Sequence, residues 1–265
     1  MTTLPKEFYR TIQEVARKAK HTSSVKQVFN DLIQVMFNSL NKSQRLHPYN
    51  MDFDSRLVRE LTEYKPQPEL WGKLGELSLM WLKAIQDAPP FTDVMGSTYD
   101  EQLGEQLGQF LTPPDVAAGL AQLNMAISKD RIDQTLAKGQ PVFMGDDCGC
   151  GAGSLILAWL KAFSEQYEPY RLLSVGVEAQ DLDMSMAQLT SVQVFYSAAI
   201  HGMPLGGLKV RWGNCLTEPD APAGFTAVLS PEKLAPAYAL QHAYQTQRAQ
   251  TQAFEKVMSK LAEPA

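Results

Sequence analysis

The chain has 265 residues, a formal charge of −5 and a pI near 5.4, with 45% hydrophobic and 20% charged residues. That length suits one large domain or two small ones, and the composition lies far from the disordered, collagenous and coiled-coil extremes. The acidic balance excludes a chain whose whole surface is a nucleic-acid footprint, so any DNA contact must be local.

The opening MTTLPKEFYR has no hydrophobic signal core, and no apolar run approaches the ~20 residues of a membrane helix. The sequence therefore reads as a cytoplasmic protein without a membrane partner. Three cysteines, Cys148, Cys150 and Cys215, are odd in number and two of them are two residues apart, which argues against a secreted disulfide scaffold and predicts reduced thiols. The distance to Cys215 and His201 lacks zinc-site spacing, so no metal is expected.

Residues 1–100 read as a helical N-terminal domain. Val25, Val28, Phe29, Leu32, Ile33, Met36 and Phe37 form one stripe of a helix over Ser24 to Leu40, with Ser23 or Ser24 as its cap. Leu70, Leu74, Leu77, Met80, Trp81 and Ile85 repeat the period from Pro68 to Ile85. Within residues 1–45 eight Lys or Arg stand against three acids, a local balance of +5 that could meet DNA phosphate, although surface charge is usually mere solvation. From Asp87 to Thr98, Pro89, Pro90 and Gly96 interrupt the pattern and predict a hinge.

Residues 101–265 read as α/β. A short apolar run at Pro141 to Met144 leads into a Gly-rich turn, and a helix over Leu155 to Phe163 follows. An extended Leu172 to Val177, a helix from Asp183 to Ile200, and strands at Leu208 to Trp212 and Phe225 to Leu229 come next. Strands alternating with helices call for a parallel sheet with crossovers. His201 and Gly202 end their helix. Ala235 to Leu261, rich in Ala and Gln, reads as one terminal helix.

The informative segment is FMGDDCGCGAGSLILAWL, residues 143–160. It is a strand ending in acids, a loop with Gly149, Gly151 and Gly153, then a helix whose N-terminal N–H groups could face a negative group. A second strand ending VGVE puts Glu178 at a neighbouring strand tip, where a carboxylate can take a ribose diol or, alternatively, cap the next helix. Asn214 in WGNCL, after the third strand, offers a side-chain amide to an adenine edge.

Residues 147–155, DCGCGAGSL, resemble the cofactor loop (DPxCGTGG) of N6-adenine DNA methyltransferases of the type I restriction modification-subunit family. GQFLTPPDVA, residues 108–117, is similar to that family's GQFYTPxxVA, residues 175–202 resemble its GxE strand and following helix ending in HG, and WGNCL its GDTL. The resemblance covers roughly residues 105–230. It implies a Rossmann-like, S-adenosylmethionine-dependent methyltransferase fold, whose parallel sheet need not be complete, and S-adenosylmethionine as cofactor. Phe110, Thr112 and Pro113 would lie beside the methionine end, with Asp147, Gly149, Gly151 and Gly153 cradling it. Glu178 would take the ribose, and Asn214 would stand where the family has an Asp.

At the place of the family's Asn/Asp-Pro-Pro-aromatic motif this chain reads FTAVLSPEKLA, residues 225–235. Ser230 and Pro231 occupy the position of the base-holding amide, and Leu234 that of the aromatic, so the clamp for a flipped adenine is missing. Asp87-Ala88-Pro89-Pro90-Phe91 imitates the motif far upstream but follows no strand. The ~35 residues after Leu229 read as a helix, short of the three further strands of a complete methyltransferase sheet. This leaves the edge of the fourth strand, Phe225 to Leu229, open unless the terminal helix, a second copy or another subunit covers it, and so calls for a partner. Three expectations follow: a DNA adenine methyltransferase or cofactor-binding subunit, a non-catalytic methyltransferase-like modulator of a modification or restriction assembly, and a methyltransferase acting on something other than adenine.

Overall fold

The structure is a computed structural model, and it describes residue Leu4, residues 6–43, 48–96, 111–218 and 223–230, and Glu232. Phe110, Pro231 and the terminal helix expected over Ala235 to Leu261 lie outside the described residues.

The N-terminal third supplies three helices, α1 (Lys6–Lys18), α2 (Val25–Ser43) and α3 (Pro68–Asp87). The Ser24 hydroxyl accepts from Gln27 N at 3.3 Å, and Val28, Phe29, Leu32, Ile33, Met36 and Phe37 are buried, as the stripe requires. Between α2 and α3 lies a strand that the periodicity missed, β1 (Tyr49–Phe53). Its five residues are too few for a pattern to stand out, although Tyr49, Met51 and Phe53 alternate with Asn50 and Asp52.

The remaining elements are α4 (Pro114–Ala137), β2 (Val142–Cys148), α5 (Ser154–Gln166), β3 (Val175–Asp181), α6 (Met184–His201), β4 (Gly207–Trp212) and β5 (Ala223–Leu229). Asp183 caps α6 through Ser185 N, and Gly202 closes it in the left-handed region at φ 69°. The chain is thus α/β, with one five-stranded sheet in the order β1-β5-β4-β3-β2.

The expected all-parallel sheet is corrected to a mixed one. β2, β3 and β4 are parallel, joined by α5 and α6, but β5 runs antiparallel to β4 and β1 antiparallel to β5. Only about ten residues join β4 to β5, whereas a parallel return needs a crossover of a dozen or more, so the short link turns the strand back. Val228 therefore sits opposite Gly207, at the end of the sheet where β4 begins.

The expectation of an open edge at Phe225 to Leu229 is corrected as well: β1, from the first hundred residues, pairs along β5 and covers it, and the core is continuous across the two parts of the chain. Phe225 of β5 meets Phe37 of α2 at 5.9 Å, Phe53 of β1 at 5.0 Å and Phe195 of α6 at 6.3 Å between ring centroids. The expected hinge is also corrected. Phe91 is buried with its N–H donating to Ser197 Oγ at 2.7 Å, and Met95 N donates to Gln193 Oε1 at 3.1 Å. The prolines break the helix, and α6 then pins the segment in place.

One sheet face packs inward. On the other, Phe143, Glu178, Lys209 and Val228 remain partly or fully exposed. Among the described residues β2 is an edge strand, flanked by a groove of about 320 Å³ that Asn124, Arg131, Ile132, Phe143 and Trp159 help to line. The outer side of α4 carries exposed Val116, Leu120, Leu123 and Ile127, one stripe by their spacing. No described helix is long and apolar enough to cross a membrane.

Candidate functional site

The loop from Gly149 to Gly153 joins β2 to α5 at the end of the parallel strands. Gly149, Gly151 and Gly153 have φ of 88°, 55° and 83°, the left-handed region in which a side chain is strained. A Cβ on Gly151 would lie 2.8 Å from the Leu111 side chain. The residues just before α4 therefore do lie against the loop, with Thr112 half-buried and exposed Pro113 as the residue preceding the helix.

Two neighbouring elements hold the loop. Gly149 N and Cys150 N both donate to the Gln180 carbonyl, at 2.8 and 3.0 Å, and Gly151 N donates to Asp181 Oδ2 at 2.8 Å. From α6, Thr190 Oγ1 donates to the Gly151 carbonyl and Gln193 Nε2 to the Ala152 carbonyl, each at 2.8 Å. Gln193 Nε2 also reaches Asp93 Oδ1 at 2.9 Å, and Ser154 Oγ, in the first turn of α5, donates to Asp93 Oδ2.

The amides of the loop itself are largely spent, which leaves those in the first turn of α5 as the ones the sequence offers to a negative group. The N–H groups of Gly149, Cys150, Gly151 and Gly153 are all engaged within the chain, and the Asp93 carboxylate already stands beside the start of α5. The loop is thus poorly suited to phosphate. Asp93, Thr190 and Gln193 were not singled out from the sequence. The one available signal was a run of polar residues inside an otherwise apolar helix.

The carboxylate at the end of β3 is Asp181, not Glu178. Asp181 accepts from Gly151 N and, through Oδ1, from Asp183 N at 2.8 Å. Burial pushes its pKa above the usual carboxylate value, and these backbone donors only partly offset the cost. Glu178 lies in mid-strand on the open face, its side chain 40% exposed, 3.5 Å from Lys209 Nζ and 3.8 Å from Arg211 Nη2. The strand runs three residues beyond the apolar pattern that placed Glu178 at its tip. Asp147 pairs in the backbone ladder opposite Ala179.

Asn214 follows β4 and spends its Oδ1 locally, accepting from Leu216 N at 3.0 Å in an Asx turn. The next residue, Cys215, is disulfide-bonded to Cys148 at the end of β2, with Cα atoms 6.0 Å apart. The expectation of three reduced thiols is thereby corrected. Cys150 stands outside the bridge, buried, with its sulfur accepting from Thr190 Oγ1 at 3.4 Å. The spacing argument counted distance along the chain, whereas the strand order folds 67 residues back on themselves.

Ser230 is not in this crevice. It is buried beside β1, its N–H donating to the Pro48 carbonyl at 2.8 Å, and the antiparallel β5 places it at the other end of the sheet. About six strand residues at ~3.3 Å each separate the two ends, roughly 20 Å.

A second polar cluster lies in the helical part. Asp31, fully buried, accepts from Gln27 Nε2 and Tyr64 Oη at 2.9 Å each and from Arg59 Nη2 at 3.0 Å, with His21 Nε2 at 3.6 Å. His21, Asp31 and Glu63 place their donor atoms within 4.8 Å of one another. The Arg59 guanidinium offsets the Asp31 charge while Gln27 and Tyr64 donate to it, so the cluster ties α2 to the segment before α3. The basic balance of residues 1–45 is also partly spent in the fold, since Lys18 pairs with Glu14 at 2.9 Å and Glu69 at 3.7 Å.

No protein-family model, curated protein or solved structure matches the chain.

Proposed function

We propose that the chain is an S-adenosylmethionine-binding, methyltransferase-like subunit that works within a DNA modification or restriction assembly and lacks its own clamp for adenine. The observation that carries this reading is the crevice at the ends of β2, β3 and β4. There a left-handed glycine loop, the Leu111-to-Pro113 segment and the Asp181 carboxylate converge.

The donor set fits the cofactor. A loop whose amides are spent and whose rim carries carboxylates is unfavourable for a nucleotide's phosphates. It tolerates a ligand with no phosphate and a positive sulfonium. Thr190, Gln193 and Asp93 hold the loop rigid, so the backbone can approach a ligand closely at Gly149 without reordering. Asp181, at the end of β3, is the carboxylate of the crevice that a ribose diol would meet. When bound, the cofactor supplies an electrophilic methyl group, and this chain's residues bind and orient it.

The position of Ser230 supports the non-catalytic form of the reading. Methyl transfer to adenine N6 needs hydrogen-bond acceptors and a stacking ring beside the sulfonium. Ser230 stands roughly 20 Å away by strand length. A protein partner would supply the base pocket, and the open β2 edge with the apolar stripe of α4 is the surface such a partner or a second copy could cover.

The test is a methyl-transfer assay on adenine-containing DNA, with cofactor binding measured in parallel. Binding without transfer by the chain alone is the expected result. Transfer by the chain alone would overturn the non-catalytic form, and absence of binding would overturn the reading itself.

A further inference from the structure

The disulfide occupies a position that matters for the crevice. Cys148 ends β2 and Cys215 follows β4, and β3 lies between these two strands. The ends of β2 and β4 are two strand spacings apart, ~9.6 Å, so Cα atoms at 6.0 Å require the chain after β4 to fold back over the end of β3. Three hydrogen bonds fasten this strap. Trp212 Nε1 donates to the Leu182 carbonyl at 3.1 Å, Gly213 N to the Asp181 carbonyl at 2.9 Å, and Gln180 Nε2 to the Glu218 carbonyl at 3.1 Å.

Beneath the strap Gln180 is fully buried, and its Oε1 has no hydrogen-bond partner among the described residues. An orphaned acceptor in the interior is costly and calls for a partner that the described residues do not provide. Cys148, by contrast, is exposed at the rim, where a soluble thiol or disulfide can reach it.

We propose that Cys148 and Cys215 form a reversible clasp over a ligand subsite at the end of β3, in which Gln180 Oε1 accepts from an N–H or O–H group of a small polar ligand. The inference rests on the crevice reading given above and adds its redox control. To open, a dithiol transfers two electrons and two protons to the bridge. The Cys148–Cys215 S–S bond breaks, each sulfur gains a hydrogen, and the dithiol leaves as its own disulfide. To close, a low-molecular-weight disulfide takes up the two electrons and two protons from the two thiols and departs as two thiols. Buried Cys150 takes no part.

The test uses the full chain, oxidised with glutathione disulfide or reduced with dithiothreitol. Peptide mapping without reductant should find Cys148 linked to Cys215 in the oxidised sample and Cys150 unlinked. Hydrogen exchange, which needs no ligand, should rise at least tenfold at Gly213 to Glu218 on reduction while the β2–β3 ladder is unchanged. Cys215→Ser should exchange like the reduced chain in both buffers. In calorimetry the reduced chain should bind S-adenosylmethionine or adenosine at least tenfold more tightly than the oxidised one, and in the reduced state, where the strap is already released, Gln180→Leu should lose at least tenfold of that affinity with the exchange of the β2–β3 ladder intact.

A different pairing, or equal exchange in the two states, would overturn the clasp whatever the ligand. A strap that opens without saturable binding of either probe would overturn the subsite. Redox-dependent binding of adenosine with none of S-adenosylmethionine would support the subsite and overturn the cofactor reading on which it was built.

Discussion

Gln193 on α6 tests how the glycine loop is held. It is 2% exposed, and its amide donates to the Ala152 carbonyl and Asp93 and accepts from Met95 N. Replacing it with Leu keeps the approximate volume and removes all three bonds. The two neutral bonds contribute about 1 kcal/mol each and the bond to the Asp93 carboxylate about 1.5–3, with a further cost for groups left unpaired in the interior. Added apolar burial returns about 1–2 kcal/mol, and Asp93 keeps Gly96 N and Ser154 Oγ. The net expectation for Gln193→Leu is a loss of about 2–4 kcal/mol, read as the urea midpoint at constant m-value. For a chain of this size that is a Tm lower by about 4–7 °C. Gln122→Ala, at an exposed position of α4, serves as control. A Gln193→Leu midpoint indistinguishable from the control would refute the claim that α6 positions the loop.

Three other outcomes follow from the same geometry. Gly153→Ala forces a left-handed residue at φ 83° and sets a Cβ 3.2 Å from Thr190 Oγ1, so it should cost about 1–3 kcal/mol in chemical denaturation; no loss would contradict the loop conformation. Because burial raises the folded pKa of Asp181 above 3.8, its protonated form is favoured in the folded chain. Its contribution therefore falls as pH rises from 3.8 through the raised folded value, and the stability of wild type relative to Asp181→Asn should decline over that window; a rise would show the sign to be wrong. Phe225→Ala should cost about 3–5 kcal/mol and leave one cooperative transition, since Phe225 joins α2, β1 and α6. Two separate calorimetric transitions would show instead that the helical and α/β parts unfold independently.

How much of this was legible in the sequence depended on the range of the interactions involved. The stripes of α2 and α3, the Ser24 cap, the glycine loop and the Gly202 stop are local patterns, and local patterns survive in a linear string. The direction of β5 is not local. Phe225 to Leu229 reads the same whichever way the strand runs, and only the short link from β4 shows that it turns back. The same blindness moved Ser230 into the crevice on paper and hid the Cys148–Cys215 bond. The glycine spacing pointed to the loop, yet its amides are consumed by Gln180 and Asp181, partners about 30 residues away. Glu178 and Asp181 differ by three positions in one strand, and the choice between them rested on a boundary, the weakest part of a pattern-based reading.

Binding of S-adenosylmethionine in the crevice, as proposed, is tested by calorimetric titration of the reduced chain. S-adenosylmethionine and its demethylated product should bind saturably at one site, and affinity should fall at least tenfold in Asp181→Ala and in Gly153→Ala, with both variants shown to be folded by circular dichroism. Absence of heat and of saturation at millimolar ligand, or equal affinity in wild type and both variants, would contradict the account.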